Sequence, residues 1–275
     1  RFSIVTGVEM HHNASSMHQP AQEVVVVETG IARRLSLPAP QHEILPGVRF
    51  GSFERVLTPA FWAARAFIEG SDGHLEPRPR GATFREEVVA CLLGGYGVPA
   101  EVGWAAFARL RDRGLLELHA SASEVRNALS APMTVGGRSV RYRFANQKAN
   151  AVVGTLHGLE TLGSLPKDDV AMRELLVNLP GVGRKTASWI TRNWRRSDNV
   201  AVLDVHICRA CEACGIFPRG TDPSRNYLQL EERFLELARA LRIRAGVLDN
   251  LMWKTMRQLA PIVGSSWLRL TESTI

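Results

Sequence analysis

The sequence predicts a mainly α-helical protein with a small β-rich region at its N-terminal end. From Thr58 onward, apolar residues recur at the spacing of amphipathic helices, and the connections between the helical segments are short. Before Thr58, β-branched and apolar residues form short stretches that proline and glycine interrupt, as is typical of strands and turns. The chain has 275 residues, 45% of them hydrophobic, which is enough apolar material for a sizeable core.

Each predicted element has a local signal. Val24 to Val27 is a β-branched run, and the apolar stretches 31–37 and 44–53 are bounded by proline and glycine. The first helix opens at Thr58-Pro59, an N-cap followed by proline at the first helical position. Helices are predicted at about 60–69, 84–94, 103–113, 121–130, 144–158, 168–177, 184–194, 205–214, 225–241 and 247–260.

The charge of the chain is positive and unevenly distributed. The net charge is +7, with five basic residues and no acid in the segment 184–196, and four basic residues and no acid in the segment 138–148. Such patches favour a polyanionic partner, because each cation placed beside a phosphate releases a counterion. No run of eighteen apolar residues occurs, so the sequence predicts no membrane-spanning helix.

The four cysteines favour a reducing compartment, since so few occur in a chain of this length. Cys208, Cys211 and Cys214 form a C-x-x-C-x-x-C pattern that invites interpretation as a metal site. No further cysteine or histidine follows at a suitable spacing, and the three thiols lie along one side of a predicted helix. We therefore interpret them as small buried core residues.

The segment 179–185, LPGVGRK, joins two predicted helices through a tight apolar turn. Its glycines permit backbone angles that a side chain would forbid, and they let the main chain approach another surface closely. The amides that open the second helix have the positive end of the helix dipole behind them, which suits a phosphate group. The segment is thus a candidate phosphate-binding hairpin that reads no sequence, although an ordinary helical corner has similar turn chemistry.

A carboxylate follows this hairpin. Nineteen residues after Lys185, the apolar run Val200 to Leu203 leads into Asp204-Val205-His206. Asp204 stands where a helix N-cap belongs. One helix and a short loop separate it from Lys185, and that route can return Asp204 to the start of the Lys185 helix.

LPGVGRKTA followed by VAVLDVH resembles the helix-hairpin-helix and Gly/Pro-rich loop signature with its aspartate (HhH-GPD) found in base-excision DNA glycosylases. The resemblance covers about Tyr142 to Gly215, and it is weaker at Phe84 to Gly95 and Leu248 to Trp253. It implies a two-lobed HhH-GPD fold. The regions expected are a β-rich region at 1–57, a second helical lobe formed by 58–82 with 205–275, and a six-helix domain at 83–204 with its hairpin at about 168–194.

The resemblance also assigns the chemistry. A lysine after the hairpin's G-x-G-x step marks members similar to endonuclease III and the 8-oxoguanine glycosylases, which use the amine as nucleophile and also cut the strand. Lys185 is then the nucleophile, and Asp204 is the catalytic carboxylate that stabilises a positively charged sugar. A free lysine has a pKa of about 10.4. We expect the helix N-terminus, the neighbouring Arg184 and desolvation to lower the pKa of Lys185.

Further residues are expected to bind DNA or the flipped base. The expected DNA contacts are Leu179, Gly181, Val182, Gly183, Arg184, Thr186, His206 and Lys148. The expected base pocket contains Asp249, Trp253 and Gln147. Asp249 would equally suit a buried helix cap and Trp253 a core position, and a wedge into the base stack could come from Gln147, Tyr142 or the loop 94–97.

The stretches 187–193 and 248–253 look closest to the compact archaeal and bacterial 8-oxoguanine glycosylases, so excision of 8-oxoguanine in base excision repair is the expected function. The N-terminal region and about twenty residues after Trp253 depart from that group. A first alternative is therefore a glycosylase that excises a bulky hypermodified base of phage DNA as antiviral defence. A second is a non-catalytic DNA-binding protein, which the pair Lys185 and Asp204 disfavours.

The same resemblance sets the expected partners. We expect a monomer that binds double-stranded DNA containing a modified base, in the cytoplasm and associated with the nucleoid, without a membrane partner. No cysteine follows Cys214, so we expect no iron–sulfur cluster. No other cofactor is expected, apart from a monovalent cation that the hairpin could hold.

Overall fold

The computed structural model describes residues 3–6, 21–28, 30–70, 74–95 and 97–263, and within these it is mostly helical. The helices are α1 Pro59–Glu69, α2 Phe84–Leu93, α3 Ala100–Asp112, α4 Ala122–Ser130, α5 Ala145–Thr161, α6 Asp169–Leu176, α7 Arg184–Arg195, α8 Val205–Ala213, α9 Pro223–Ala240 and α10 Ala245–Val263. The strands are β1 Ser3–Thr6, β2 Gln22–Glu28, β3 Ile31–Leu37, β4 Glu43–Leu45, β5 Val48–Arg49, β6 Met133–Val135 and β7 Arg138–Val140. The predicted fold class is confirmed.

The helices begin where the sequence offers caps. Thr58 accepts a hydrogen bond from the amide of Phe61 at 3.0 Å, and proline follows it at the first helical position. Thr83 and Ser121 open α2 and α4 with complete capping boxes, in which a glutamate three residues later returns the hydrogen bond. Asp168 caps α6 by accepting from the amide of Ala171 at 2.7 Å. The local sequence therefore explains where these helices start.

The chain divides into two compact units, one formed by the residues up to Glu76 with those from Val205 onward, and the other by Pro77–Asp204. In the first unit, β1, β2 and β3 form an antiparallel sheet, with Val24 opposite Leu35 in the β2–β3 pair. One face of this sheet packs its buried valines against the small residues of α1, and α10 packs against α1, α8 and α9. The N-terminal strands thus share a core with this helical unit.

The second unit contains α2 to α7 around one hydrophobic core. Every residue from Glu87 to Leu93 of α2 is buried, because α3, α5 and α7 pack around this helix. A Gly136-Gly137 turn joins the antiparallel pair β6 and β7, which is not among the elements predicted from the sequence. Both glycines have positive φ, as a two-residue hairpin turn requires. Three-residue strands are too short for an alternating pattern to be recognised.

Some of the predicted features lie outside the residues that the structure describes. Tyr96 of the candidate wedge loop and the tail 264–275 are not among the described residues. Within the described part of the chain, no helix is both long and apolar enough to cross a membrane.

Candidate active site and DNA-binding hairpin

The hairpin between α6 and α7 rests on one face of α5. Leu179 and Val182 are buried, and the hydroxyl of Thr155 donates to the carbonyl of Pro180 at 2.8 Å. Three small residues of α5 make room for the turn. A Cβ atom on Gly158 would lie 2.7 Å from Cδ2 of Leu179, and one on Gly181 would lie 2.7 Å from Cβ of Ala151. The α5 seat, Ala151 with Gly154 and Gly158, therefore sets the position of the hairpin, and it is not among the features predicted from the sequence.

The two hairpin glycines serve different purposes. Gly181 has a φ of +75°, which confirms that its position needs a glycine. Gly183 has a φ of −88° and a ψ of 172°, an ordinary extended conformation, and a Cβ atom there would meet nothing within 4 Å. The expectation that Gly183 needs an unusual backbone angle is therefore wrong. Because Gly183 has no side chain, the space at the N-terminus of α7 stays open.

The first turn of α7 presents backbone amides without a side-chain cap. Gly183 occupies the N-cap position, where it forms no side-chain hydrogen bond. Arg184 is exposed, with its guanidinium 3.6 Å from Glu174, and Thr186 is half-buried. The first amides of a helix have no partner inside the helix, and the helix dipole gives this end a positive potential. This terminus can accept an anion.

Lys185 is the second residue of α7, and its amine lies in a partly desolvated place. The side chain is half-buried, and burial lowers the pKa of Lys185. The negative charge of Asp204 acts in the opposite direction. Burial is the larger effect, so the unprotonated amine is easier to form than in a free lysine. The structure thus brings Lys185 within the electrostatic reach of Asp204.

Asp204 ends the buried run Val200 to Leu203 and immediately precedes α8. Its amide donates to the carbonyl of Val202 at 3.0 Å, and its carboxylate is half-buried. It is the last residue of the second unit, which also contains Lys185. Both residues of the predicted catalytic pair therefore belong to the same unit.

A two-glycine turn after α2 lies against the Lys185 face of α7. A Cβ atom on Gly95 would be 3.4 Å from Nζ of Lys185, and one on Gly94 would be 2.8 Å from the ring of Trp189. Trp189 follows Lys185 by four residues, so both side chains project from the same face of the helix. From the sequence, this loop is expected only as a candidate wedge. A pair of glycines directly after a buried helix was the available signal of a close approach.

Two side chains of the segment 142–148 hold the end of α2 that carries this turn. The Tyr142 hydroxyl donates to the carbonyl of Leu93 at 2.7 Å, and Nζ of Lys148 donates to the carbonyl of Leu92 at 2.6 Å. Burial lowers the pKa of Lys148, and the charge of Lys185 lowers it further. The Lys148 ammonium thus already forms a hydrogen bond inside the protein, near Lys185. Its expected contact with DNA stays a prediction.

The remaining predicted site residues are divided between the two units. His206, Asp249 and Trp253 belong to the first unit, whereas Gln147 is an exposed residue of α5 in the second. Asp249 is 3% exposed and lies in the second turn of α10, so it does not cap α10 itself, and its expected role at the base stays a prediction. Trp253 is half-buried, and the guanidinium of Arg257 stacks on its ring at 4.6 Å.

The three cysteines of α8 and the turn after it are buried thiols, as predicted. Burial raises the pKa of Cys214 to about 12, while a hydrogen bond from Trp62 opposes the shift. Burial also raises the pKa of Cys211, and the charge of Asp249 adds to the effect. Among the described residues, no group of three or more His, Cys, Asp or Glu side chains is arranged to hold a metal ion.

The fold and the hairpin are those of the helix-hairpin-helix DNA glycosylases. The family model of 8-oxoguanine DNA glycosylase matches residues 76–243, and the chain belongs to this family. The chain is 29% identical over 203 residues to the 8-oxoguanine DNA glycosylase/AP lyase of Metallosphaera sedula, an alignment that covers 72% of this chain and 94% of that protein.

Solved structures show the same fold. The crystal structure of the 8-oxoguanine DNA glycosylase of Thermotoga maritima superposes with a TM-score of 0.54 at 25% identity, covering 74% of this chain and 97% of the other. The Methanocaldococcus jannaschii 8-oxoguanine glycosylase/lyase, solved with a 15mer DNA containing 8-oxoguanine, superposes with a TM-score of 0.51 at 24% identity. That match covers 62% of this chain and 79% of the other.

Proposed function

We propose that this protein excises 8-oxoguanine from double-stranded DNA and cleaves the strand at the resulting abasic site. The observation that carries the proposal is the desolvated amine of Lys185, which opens a hairpin helix and lies within reach of the Asp204 carboxylate. A protein that only bound DNA would bind phosphate more strongly through a fully charged, solvent-exposed lysine. The family membership supports the same class of reaction.

In the proposed reaction, the Lys185 amine attacks C1′ of a nucleotide that has been flipped out of the duplex. The bond from C1′ to the base breaks, and the base leaves with the bonding electrons and takes up a proton. Asp204 stabilises the positive charge that develops on the sugar before the new bond is complete. The attacking nitrogen loses a proton, and its lone pair then forms a C1′=N bond while the C1′–O4′ bond of the sugar ring breaks and O4′ takes up a proton, which gives a protonated Schiff base. Loss of a proton from C2′ expels the 3′ phosphate and cuts the strand.

The hairpin supplies the proposed DNA anchor. The amides at the start of α7 bind a phosphate, with Leu179, Gly181, Val182 and Gly183 shaping the turn and Arg184 and Thr186 beside it. His206 contacts the backbone, and Asp249, Trp253 and Gln147 are the candidates for contacts with the flipped base. In this proposal the protein acts as a monomer in the cytoplasm, on the nucleoid. The chemistry uses no cofactor, and a monovalent cation at the hairpin would assist phosphate binding only.

Borohydride trapping against a panel of duplexes tests the proposal. The panel contains 8-oxoguanine opposite each base, an abasic site, a bulky hypermodified pyrimidine and unmodified DNA. We expect a covalent complex with the 8-oxoguanine and abasic duplexes only. Trapping on the bulky pyrimidine alone would instead support the antiviral alternative. Binding without trapping or cleavage on any duplex would contradict an enzymatic function.

A further inference from the structure

A fully buried carboxylate lies on the helix that packs against α7. Glu87 is 0% exposed, and its carboxylate accepts four hydrogen bonds. Oε1 accepts from Nδ2 of Asn193 at 2.8 Å and from the thiol of Cys91 at 3.2 Å. Oε2 accepts from the amides of Gly81, at 3.1 Å, and of Arg80. Burying a charge is costly unless hydrogen bonds compensate for it, so this position calls for a specific role.

The partners of Glu87 are themselves constrained. Asn193 is 2% exposed, and its Oδ1 accepts from Nε and Nη2 of Arg192 at 3.2 and 2.9 Å. This contact leaves Nδ2 of Asn193 to face Glu87. A Cβ atom on Gly81 would lie 2.4 to 2.6 Å from atoms of Glu86 and Glu87, so only glycine fits there. Glu87 therefore ties the segment before α2 to both α2 and α7.

The residues of α7 that meet α2 lie on one helical face. Lys185, Trp189 and Asn193 follow one another at intervals of four, and eight residues of helix span about 12 Å. Asn193 meets Glu87 at the start of α2, whereas Lys185 and Trp189 meet the two-glycine turn at its end. The two helices thus run in opposite directions, with Glu87–Asn193 as the polar contact at one end and Lys185 at the other.

Residues that contact Glu87 also lie near the Lys185 amine or contact its neighbours. The guanidinium of Arg80, whose amide Glu87 binds, stacks on Trp189 at 5.0 Å from the ring centroid. The thiol that donates to Glu87 is that of Cys91, which lies on the same helix one turn nearer to the two-glycine turn. The ring of Trp189 is therefore held between Arg80 and Gly94, one turn beyond Lys185.

We propose that Glu87 is a positioning residue for Lys185: by binding Asn193, Arg80 and Gly81 together, it fixes the register of α7 against α2 and so the place of the amine. Glu87 does not touch the reacting atoms in this inference. The inference rests on the proposed function, since it concerns the residue proposed as nucleophile. A hydrogen-bonded pair of defined polarity is well suited to set a register, because a shift by one residue would leave buried donors and acceptors unpaired.

Exchanging the polarity of the pair tests the proposal. Glu87→Gln alone places an amide donor against the donors around it, and Asn193→Asp alone places two carboxylates face to face. The double variant restores the match, because the new glutamine can accept from the two backbone amides and donate to the new aspartate, which still accepts from Arg192. We expect each single variant to lower the single-turnover rate at saturating enzyme at least about tenfold, with the Kd for DNA within about threefold. The double variant should return to within about threefold of the original rate.

Glu86→Gln is the matched control. Glu86 is the neighbouring carboxylate, half-buried, and it closes the capping box of α2 by accepting from the amide of Thr83 at 3.4 Å. Glutamine closes such a box as well, so this variant should keep the full rate. Single variants that stay folded and retain the rate would overturn the proposal. A double variant no faster than its parents would overturn it too.

A measurement without DNA separates this proposal from the proposed function. The chain has four lysines, so labelling with an amine reagent can be followed at each by peptide mapping, with the exposed Lys254 as internal reference. We expect both single variants to change the labelling rate of Lys185 at least about threefold relative to Lys254, and the double variant to restore it. An unchanged rate at Lys185 would overturn the positioning role.

If the original protein traps no duplex, the proposed function fails, while this labelling result still decides the role of Glu87. Should a single variant not fold, Asn193→Ala, which removes the donor to Glu87 without adding a charge, replaces it in both measurements and is expected to show the same loss.

Discussion

Gly181 of the hairpin lies directly against Ala151 of α5, so that a Cβ atom built on Gly181 would be 2.7 Å from Cβ of Ala151. The backbone of Gly181 is also in the left-handed region, with a φ of +75°. The α5 seat and the turn therefore accept only a glycine at this position. The consequence can be measured as a loss of stability that does not depend on DNA.

Gly181→Ala should lower the free energy of unfolding by about 2 kcal/mol or more, since the left-handed backbone alone costs about 1–2 kcal/mol for a residue with a side chain. The contact with Ala151 adds to this cost. Thermal and chemical denaturation of the purified protein measure the change. A variant as stable as the original would show that the hairpin does not rest on α5 as described.

Gly183→Val should change stability little but weaken the binding of DNA. The backbone there is ordinary and the space beyond it is open, so stability should change by only about 1 kcal/mol, the usual scale of an N-cap effect. A branched side chain would occupy the space that a phosphate needs. We expect weaker binding to all duplexes by a similar factor, measured by fluorescence anisotropy with modified and unmodified DNA. A loss confined to one sequence would contradict a phosphate contact.

Binding of DNA should depend steeply on salt, because the expected contacts are to phosphates. Arg184 is exposed beside the hairpin amides, so Arg184→Gln should reduce the slope of log K against log salt by about one. Arg85 is the control, since its guanidinium is already paired with Glu117 and Glu160 at 2.8 and 2.6 Å. Arg85→Gln should leave the slope unchanged. Equal slopes for the original protein and Arg184→Gln would remove Arg184 from the interface.

Lys185→Gln should abolish Schiff-base trapping and strand cleavage, because it removes the amine while keeping length and polarity. Affinity for DNA should stay within about tenfold, which corresponds to about 1.4 kcal/mol. Trapping and binding assays on the same 8-oxoguanine duplex measure both effects. If the variant still released the base without cutting the strand, water rather than Lys185 would be the attacking group in the first step.

Asp204→Asn should slow base excision by about a hundredfold or more, the range typical of lost electrostatic stabilisation of a transition state. Asparagine also caps helices well, so the fold should be retained. The pH profile adds a second test. The charge of Asp204 raises the pKa of Lys185 against the larger effect of burial, so removing it should move the rising limb of the rate profile to lower pH. A shift to higher pH would contradict the electrostatic coupling.

The sequence by itself determined the elements whose signals are local. Caps such as Thr58, Thr83 and Asp168 marked where helices begin, and the LPGVGRK turn identified the hairpin with Lys185 at its second helix. Asp204 was also predicted, because a buried apolar run and a cap position precede α8 in a recognisable order. Local hydrogen bonds and backbone preferences depend on neighbouring residues, so a linear pattern can report them.

Only the tertiary structure decided what surrounds the amine. Glu87 and Asn193 are 106 residues apart, and Lys148 reaches a carbonyl 56 residues away. No pattern in the sequence indicates which residue each of these side chains contacts. The approach of Gly95 to Lys185 likewise depends on how α2 and α7 pack. Because desolvation and buried hydrogen bonds arise when distant helices come together, the sequence identified the proposed nucleophile but not the residues that set its environment.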